Sequence, residues 1–423
     1  MRMSGLFLAS LAMVAIVSAA QARPSAPSTA ADDVRELGTQ ITRIHPDAFR
    51  SVSRQRFESD VSAVAQRAPT ISRNELLVGM LRIIASLGPR NGHTGLFPGD
   101  PAHTRELHFY PVRLYDFADG MYVVDATDRS LIRNRLVAIE GVPIERILEL
   151  VEPLVPRDNA SNLRGLATHY LLTAEVLDGL GVADGIGAAE LTFERPDGQR
   201  VDIELTPVAA SRYTSTFADP LFGHYPSILP KASQPLYLSG SARPLWARTL
   251  AGGRAVYVGY NSVRSPTPAV LRKIERLVRG RDVRRVIVDL RLNGGGDNTT
   301  YGSLTTLFGS AAVNKRGKLQ VLIGRATFSA AANFAAEIDR ATRAVFVGEP
   351  TGGGVETYGD TFPVLLPTVG WTVRIAARYH ERKKSKSDRR LAVEPDVRVE
   401  LTSKQYFARV DPVLARALKG LDG

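Results

Sequence analysis

The 423-residue sequence contains no cysteine. That excludes a disulfide framework, a cysteine-based metal cluster and a lipid-modified cysteine. No His-Glu-x-x-His pattern is present, so no metal site is recognisable and no cofactor is implied. No stretch after residue 17 is long and apolar enough to span a bilayer. No segment repeats at a fixed period, and no basic stripe is interleaved with aromatics. The second absence argues against a nucleic-acid partner.

What is present fits a soluble globular protein, with 44% hydrophobic and 23% charged residues. The length suggests two or three domains. The formal charge of +11 suits anionic surfaces or acidic substrates. The densest positive run, Arg382-Lys383-Lys384 and on to Arg390, reads as a solvated loop. At the start, Arg2 precedes an apolar run at 6–17 and then Ala20-Gln21-Ala22. This is the pattern of a signal peptide over 1–22, cut after Ala22, with the mature protein exported to a periplasm or secreted and keeping no membrane segment.

Apolar spacing predicts helices over 31–87, the third opened by a capping box at Ser72-Arg73-Asn74-Glu75. Short strands are expected at 108–114, 121–126, 135–139, 191–194 and 201–205, with a turn at Pro196-Asp197-Gly198, a helix at 144–154 and a helical insertion at 159–180. A small barrel-like domain accommodates them. Residues 206–241 show no clean period and read as a connection. From 255 onward strands alternate with helices, which implies an α/β core of βαβ units on a mainly parallel sheet. The expected division is 1–22 signal peptide, 23–100 helical cap, 101–208 β-rich domain with helical insertion, 209–245 linker and 246–423 α/β core.

In such sheets ligands lie beyond the carboxyl ends of the strands. One such end reads Asp289-Leu290-Arg291-Leu292-Asn293-Gly294-Gly295-Gly296. Its glycines can bring backbone N–H groups to an anion, or form a flexible turn. No Gly-Lys-Ser/Thr follows, which weakens a phosphate-binding reading. A second end reads Thr327-Phe328-Ser329-Ala330-Ala331, with Ser329 where strand gives way to helix. Ser329 is there either a helix cap or a nucleophile beside unpaired N–H groups. A serine nucleophile needs a base, and His93 in the loop Gly92-His93-Thr94-Gly95 is a candidate, an ordinary surface histidine being the alternative.

Together these segments resemble the C-terminal processing peptidase (tail-specific protease) family. Val347-Gly348-Glu349-Pro350-Thr351-Gly352-Gly353 resembles the turn after that family's nucleophile, and Glu394-Pro395-Asp396-Val397 its closing segment. Residues 134–144 resemble the PDZ-type module many members carry. The resemblance implies a crotonase/ClpP-like core and a serine peptidase acting on a protein or peptide substrate. It assigns Ser329 as nucleophile, with the N–H groups of Gly294 or Gly295 and of Ala330 as the oxyanion hole. Gly354 stands where the Ser–Lys branch has its lysine. Gly92-His93-Thr94 matches instead the branch that includes the tricorn core protease. That branch implies His93 as base and Asp388 as the acidic member, with Glu394 and Glu356 as fallbacks. The same fold also serves as a ligand carrier in retinoid-binding modules, and the same triad would serve a non-proteolytic acyl hydrolase.

Overall fold

The computed structural model describes residues 29–217, 229 and 233–421. The expected signal peptide lies outside them, as does part of the expected linker. The described residues open with helices α1 (Ala30–Ile44), α2 (Arg54–Arg67) and α3 (Arg73–Ala85). Val34, Leu37 and Ile41 form the buried stripe of α1, and Phe57, Val61 and Ala65 that of α2. At the start of α3 the Ser72 hydroxyl accepts the Glu75 N–H at 3.1 Å, and the Glu75 carboxylate accepts the Ser72 N–H at 2.8 Å. Those reciprocal bonds are the expected capping box.

The next region holds β1 (His108–Phe109), β2 (Val112–Phe117), β3 (Gly120–Ala126), β4 (Arg135–Ile139) and β5 (Val142–Pro143). It continues through α4 (Ile144–Val151), α5 (Ala160–Leu171), α6 (Ala174–Gly179), β6 (Ala189–Glu194), β7 (Arg200–Leu205), β8 (Val208–Ala209) and α7 (Ala210–Phe217). Strands β2-β3-β4-β6-β7 form an antiparallel sheet whose path ends at β2 and β7, so the expected barrel is open. The strand expected at 108–114 breaks between Phe109 and Val112, where Pro111 offers no N–H to a ladder. Its first piece pairs with β8. The helix expected at 144–154 ends at Val151 and passes into a 3₁₀ turn containing Pro153. The stretch read as linker begins with β8 and the helix α7 rather than loop.

The α/β region comprises α8 (Leu236–Ser239), β9 (Leu245–Leu250), β10 (Ala255–Tyr260), α9 (Pro268–Val278), β11 (Arg285–Asp289), α10 (Gly302–Gly309), β12 (Leu319–Ile323), α11 (Ala330–Ala341) and β13 (Val345–Gly348). It ends with β14 (Glu356–Leu366), β15 (Trp371–Glu381), β16 (Val397–Arg398), α12 (Ser403–Phe407) and α13 (Pro412–Leu418). The sheet order is β16-β13-β12-β11-β10-β9, parallel except where β9 meets β10. Side chains alternate between its faces. Val256, Val258, Val286, Val288, Val321 and Ile323 pack with α9 and α11, whereas Tyr257, Ile287 and Leu322 pack with α13. Burial on both sides explains the near-continuous apolar strands.

The long hairpin β14–β15 was not expected. Trp371, Val373 and Ile375 of β15 enter the core of the helical amino-terminal region, so the hairpin bridges that region and the α/β sheet. The basic run after it is also less solvated than expected. Lys383 pairs with Glu356 at 2.8 Å, and Lys384 and Arg390 pair with Asp339 at 2.6 and 3.0 Å.

Candidate active site

The neighbouring parallel strands β11 and β12 deliver the two unusual segments side by side. After β12, the Thr327 hydroxyl accepts the Gly324 N–H at 3.1 Å and donates to the Leu290 carbonyl at 2.9 Å, while the Phe328 N–H donates to the Asn293 carbonyl at 3.1 Å. These bonds lock the turn that presents Ser329. Its backbone sits at φ 52°, ψ −129°, a conformation that favours glycine. The half-buried Ser329 makes no capping hydrogen bond with its side chain. A serine kept in a strained conformation without capping its helix has its hydroxyl aimed elsewhere. The capping alternative is thereby set aside. The helix behind it is anchored by buried Ala330, Ala331, Phe334 and Ala335.

The glycine segment lies against this turn. A Cβ on Gly295 (φ 114°) would come within 2.6 Å of Ser329 Cβ and 3.0 Å of the Ala330 nitrogen. One on Gly296 (φ 143°) would come within 2.0 Å of the Val263 carbonyl oxygen. Side chains are excluded here by close backbone approach. Among the expected oxyanion donors, the Gly295 N–H already donates to Asn293 Oδ1 at 3.0 Å. The Ala330 N–H belongs to the first turn of α11, where an N–H has no partner within the helix. Arg291 bonds Asp289 and Asp411, closing the strand end from which the glycines depart.

His93 arrives from the loop after α3. The Arg90 N–H donates to the Asp158 carbonyl at 3.1 Å, and the Gly95 N–H and Arg374 carbonyl pair at 2.9 Å. His45 and Asn91 bond at 2.7 Å behind the loop. The His93 ring stacks on Phe328, the residue before Ser329, with centroids 4.4 Å apart and planes 22° apart. The structure thus brings His93 to the turn that carries Ser329. Burial lowers the His93 pKa below its ordinary value of 6.5, an effect opposed by the Asp158 carboxylate and reinforced by His380.

Of the carboxylates expected as a third member, two are held by cations. Asp388 is bonded by Arg390 through both oxygens, at 3.0 and 2.8 Å, and by the Lys384 N–H. The Arg390 bond holds its carboxyl far below the usual range. Glu394 is exposed. Glu356 is buried and paired with Arg50, Arg90 and Lys383. The carboxylate acting most strongly on His93 is Asp158, which is wholly buried just ahead of α5. Nothing local in Arg157-Asp158-Asn159-Ala160-Ser161 marks it as more than a helix start. Asn159 beside it does cap α5, and its side-chain amide also donates to the carbonyls of Thr351, Gly352 and Leu391.

That second role bears on Gly354. A Cβ there would lie 2.3 Å from the Glu356 carbonyl oxygen, so the backbone has no room for the lysine of a Ser–Lys dyad. Next to it, a Cβ on Gly353 would meet Ala332 Cβ at 2.4 Å and the Ser329 nitrogen at 3.1 Å. The glycine turn is therefore one wall of the nucleophile turn. A cavity of about 720 Å³ opens beside these elements, bordered by His93, Gly294 and Phe328 and extending to Tyr115, Phe117 and Leu292. No cluster of three or more metal-binding side chains occurs among the described residues.

Residues 298–399 match the model of peptidase family S41. That stretch is a peptidase family S41 domain, and it supports a serine peptidase. The match bears out the resemblance to C-terminal processing peptidases. Among solved structures, mature CPAF complexed with lactacystin is similar to this chain at a TM-score of 0.62 and 14% identity, covering 93% of this chain and 97% of that one. A second structure of mature CPAF matches at a TM-score of 0.60, with the same identity and coverage. At this identity the likeness speaks for the fold. The photosystem II D1 C-terminal processing protease matches at a TM-score of 0.43 and 14% identity, over 94% of this chain and 98% of that one. No curated protein matches the sequence.

Proposed function

We propose that this protein is an S41-type peptidase that hydrolyses peptide bonds of exported proteins or peptides with Ser329 as nucleophile and His93 as general base. The observation that carries the reading is Ser329 itself: a non-glycine residue at φ 52° with no capping bond, beside a histidine stacked on its neighbour. His93 takes the hydroxyl proton as Ser329 Oγ attacks the substrate carbonyl, then gives it to the leaving amine. The lowered pKa keeps the imidazole neutral and able to accept that proton near neutral pH. The Ala330 N–H, with that of Gly294 on the cavity wall, receives the oxyanion, each such donor contributing about 3–4 kcal/mol by deletion. Water then releases the acyl-enzyme. Export rests on the amino-terminal signal pattern.

The test uses a fluorophosphonate probe on the wild type, Ser329→Ala and His93→Ala. The wild type labels at Ser329, Ser329→Ala does not, and His93→Ala labels far more slowly. An unlabelled wild type overturns the reading. Labelling without cleavage of any unfolded protein or peptide library favours an acyl hydrolase instead.

A further inference from the structure

We propose that Asp158 is the residue that positions His93, accepting the imidazole Nδ1–H in place of the carboxylate expected at Asp388. The inference rests on the Ser329–His93 reading and adds its third member, drawn from the segment between α4 and α5 rather than from the α/β region.

Three observations converge. First, His93 Nδ1 is buried and has no hydrogen-bond partner among the described residues; no Asp158 oxygen bonds it in this structure, and the backbone of Tyr358 is the group acting on the ring by hydrogen bonding. A buried polar atom left in that state costs about 1–3 kcal/mol, so a partner is needed once the ring carries a proton there. Secondly, Asp158 is fully buried and accepts three bonds. The Gly92 N–H reaches Oδ1 at 2.8 Å, and the Gly354 N–H and Thr357 hydroxyl reach Oδ2 at 3.1 and 2.8 Å. A carboxylate accepts about four bonds, which leaves one lone pair on Oδ1, the oxygen held by the residue preceding His93.

Thirdly, all three donors are neutral. Other carboxylates have a cation: Asp388 has Arg390, Glu356 has Arg90 and Lys383, and Asp360 has Arg378, while Glu394 is exposed to water. Among the described residues no lysine or arginine pairs with Asp158. A buried charge without a counter-charge is costly, and the imidazolium formed when His93 takes the serine proton supplies one. Burial raises the Asp158 pKa, and His93 is the first influence opposing it. The other charged groups acting on His93 are His380 and Asp360, which pair with each other at 3.5 Å, and Asp360 is half exposed.

The same carboxylate ties two walls of the site together. Through Gly92 it holds the loop of the base. Through Gly354 and Thr357 it holds the turn whose Gly353 packs on the Ser329 nitrogen. The base and the nucleophile turn thus share one anchor.

The experiment compares fluorophosphonate labelling rates against pH for the wild type, Asp158→Asn, Asp158→Glu and Asp388→Asn. Asp158→Asn is expected to label about a hundredfold or more slowly, as when the acid of a triad is replaced by its amide. Its acid limb is expected to move down by about one pH unit, because a nearby negative charge raises a histidine pKa. Asp158→Glu recovers part of the rate, KM for a cleaved peptide changes little, and Asp388→Asn labels like the wild type. A folded Asp158→Asn that labels within about threefold of the wild type, with an unmoved limb, makes Asp158 a loop staple and overturns the proposal. Loss in Asp388→Asn instead overturns it too. Should Asp158→Asn fail to fold, the phosphonylated wild type decides the matter by ¹⁵N-histidine NMR. A protected, downfield His93 Nδ1–H supports the proposal, and its absence overturns it. A wild type that never labels sinks the Ser329–His93 reading as well, whereas labelling unaffected by Asp158→Asn sinks only this inference.

Discussion

His93 lies face to face with Phe328, the two ring centroids 4.4 Å apart, although the residues are separated by more than half the chain. The contact joins the loop after the amino-terminal helices to the turn that presents Ser329. It fixes the plane of the imidazole, which decides where the two ring nitrogens point.

Phe328→Ala should therefore slow fluorophosphonate labelling without abolishing it. Aromatic pairs contribute about 0.5–1.5 kcal/mol beyond their buried area, which corresponds to a rate loss of about twofold to tenfold. Phe328→Tyr keeps the stacked face and should stay near the wild-type rate. Equal rates for Phe328→Ala and the wild type would show that the stack does not orient the base.

The rate should also carry the signature of a buried histidine. His93 must be neutral to accept a proton, and burial lowers its pKa below 6.5. Protonation then inactivates the site only at lower pH, so the acid limb of kcat/KM should have its midpoint below 6.5. A midpoint above 6.5 in the pH–rate profile would contradict the burial-dominated environment.

Gly354→Lys tests the departure from the Ser–Lys pattern. The new Cβ would lie 2.3 Å from the Glu356 carbonyl oxygen. Overpacking of this kind costs about 1–3 kcal/mol, read as a lower Tm. In a His93→Ala background the lysine should restore no labelling, because the backbone must shift to admit it. Recovered labelling would show that the turn adapts to a dyad.

Glu356 governs acid stability. Burial opposes its ionisation, but bonds from Lys383, Tyr379 and Arg90 outweigh it and hold the carboxyl at about 2 instead of 4.5. A carboxyl whose folded pKa is depressed stabilises the fold above its unfolded pKa, and that stability is lost as pH falls towards the folded value. The contribution, roughly 3 kcal/mol, should disappear between about pH 4.5 and 2. Glu356→Gln should lower Tm at pH 7 and flatten the decline of Tm over that window. A parallel decline in wild type and variant would count against the network.

The sequence alone determined the features that depend on local pattern. Near-continuous apolar runs marked the parallel strands because both faces of that sheet are covered. The Ser72 capping box and the Pro196-Asp197-Gly198 turn were legible because each is a contact within a few residues. The glycines at 294–296 and Ser329 stood out because strands of a parallel sheet end where ligands bind. The hairpin β14–β15 escaped notice: its apolar positions Trp371, Val373 and Ile375 pack on helices some three hundred residues earlier, and no local signal names that partner.

Only the tertiary structure decided how those parts meet. Ser329 reads in the sequence as a cap or a nucleophile, and its φ of 52° and uncapping side chain speak against the cap. His93 was one histidine of seven until its ring was found on Phe328. Motif position points to Asp388, whose carboxylate Arg390 holds, whereas Asp158, the acid we propose for His93, comes from another part of the chain. The reason is physical: a carboxylate's role depends on which charge it faces and how deeply both are buried, and spacing along the chain carries neither.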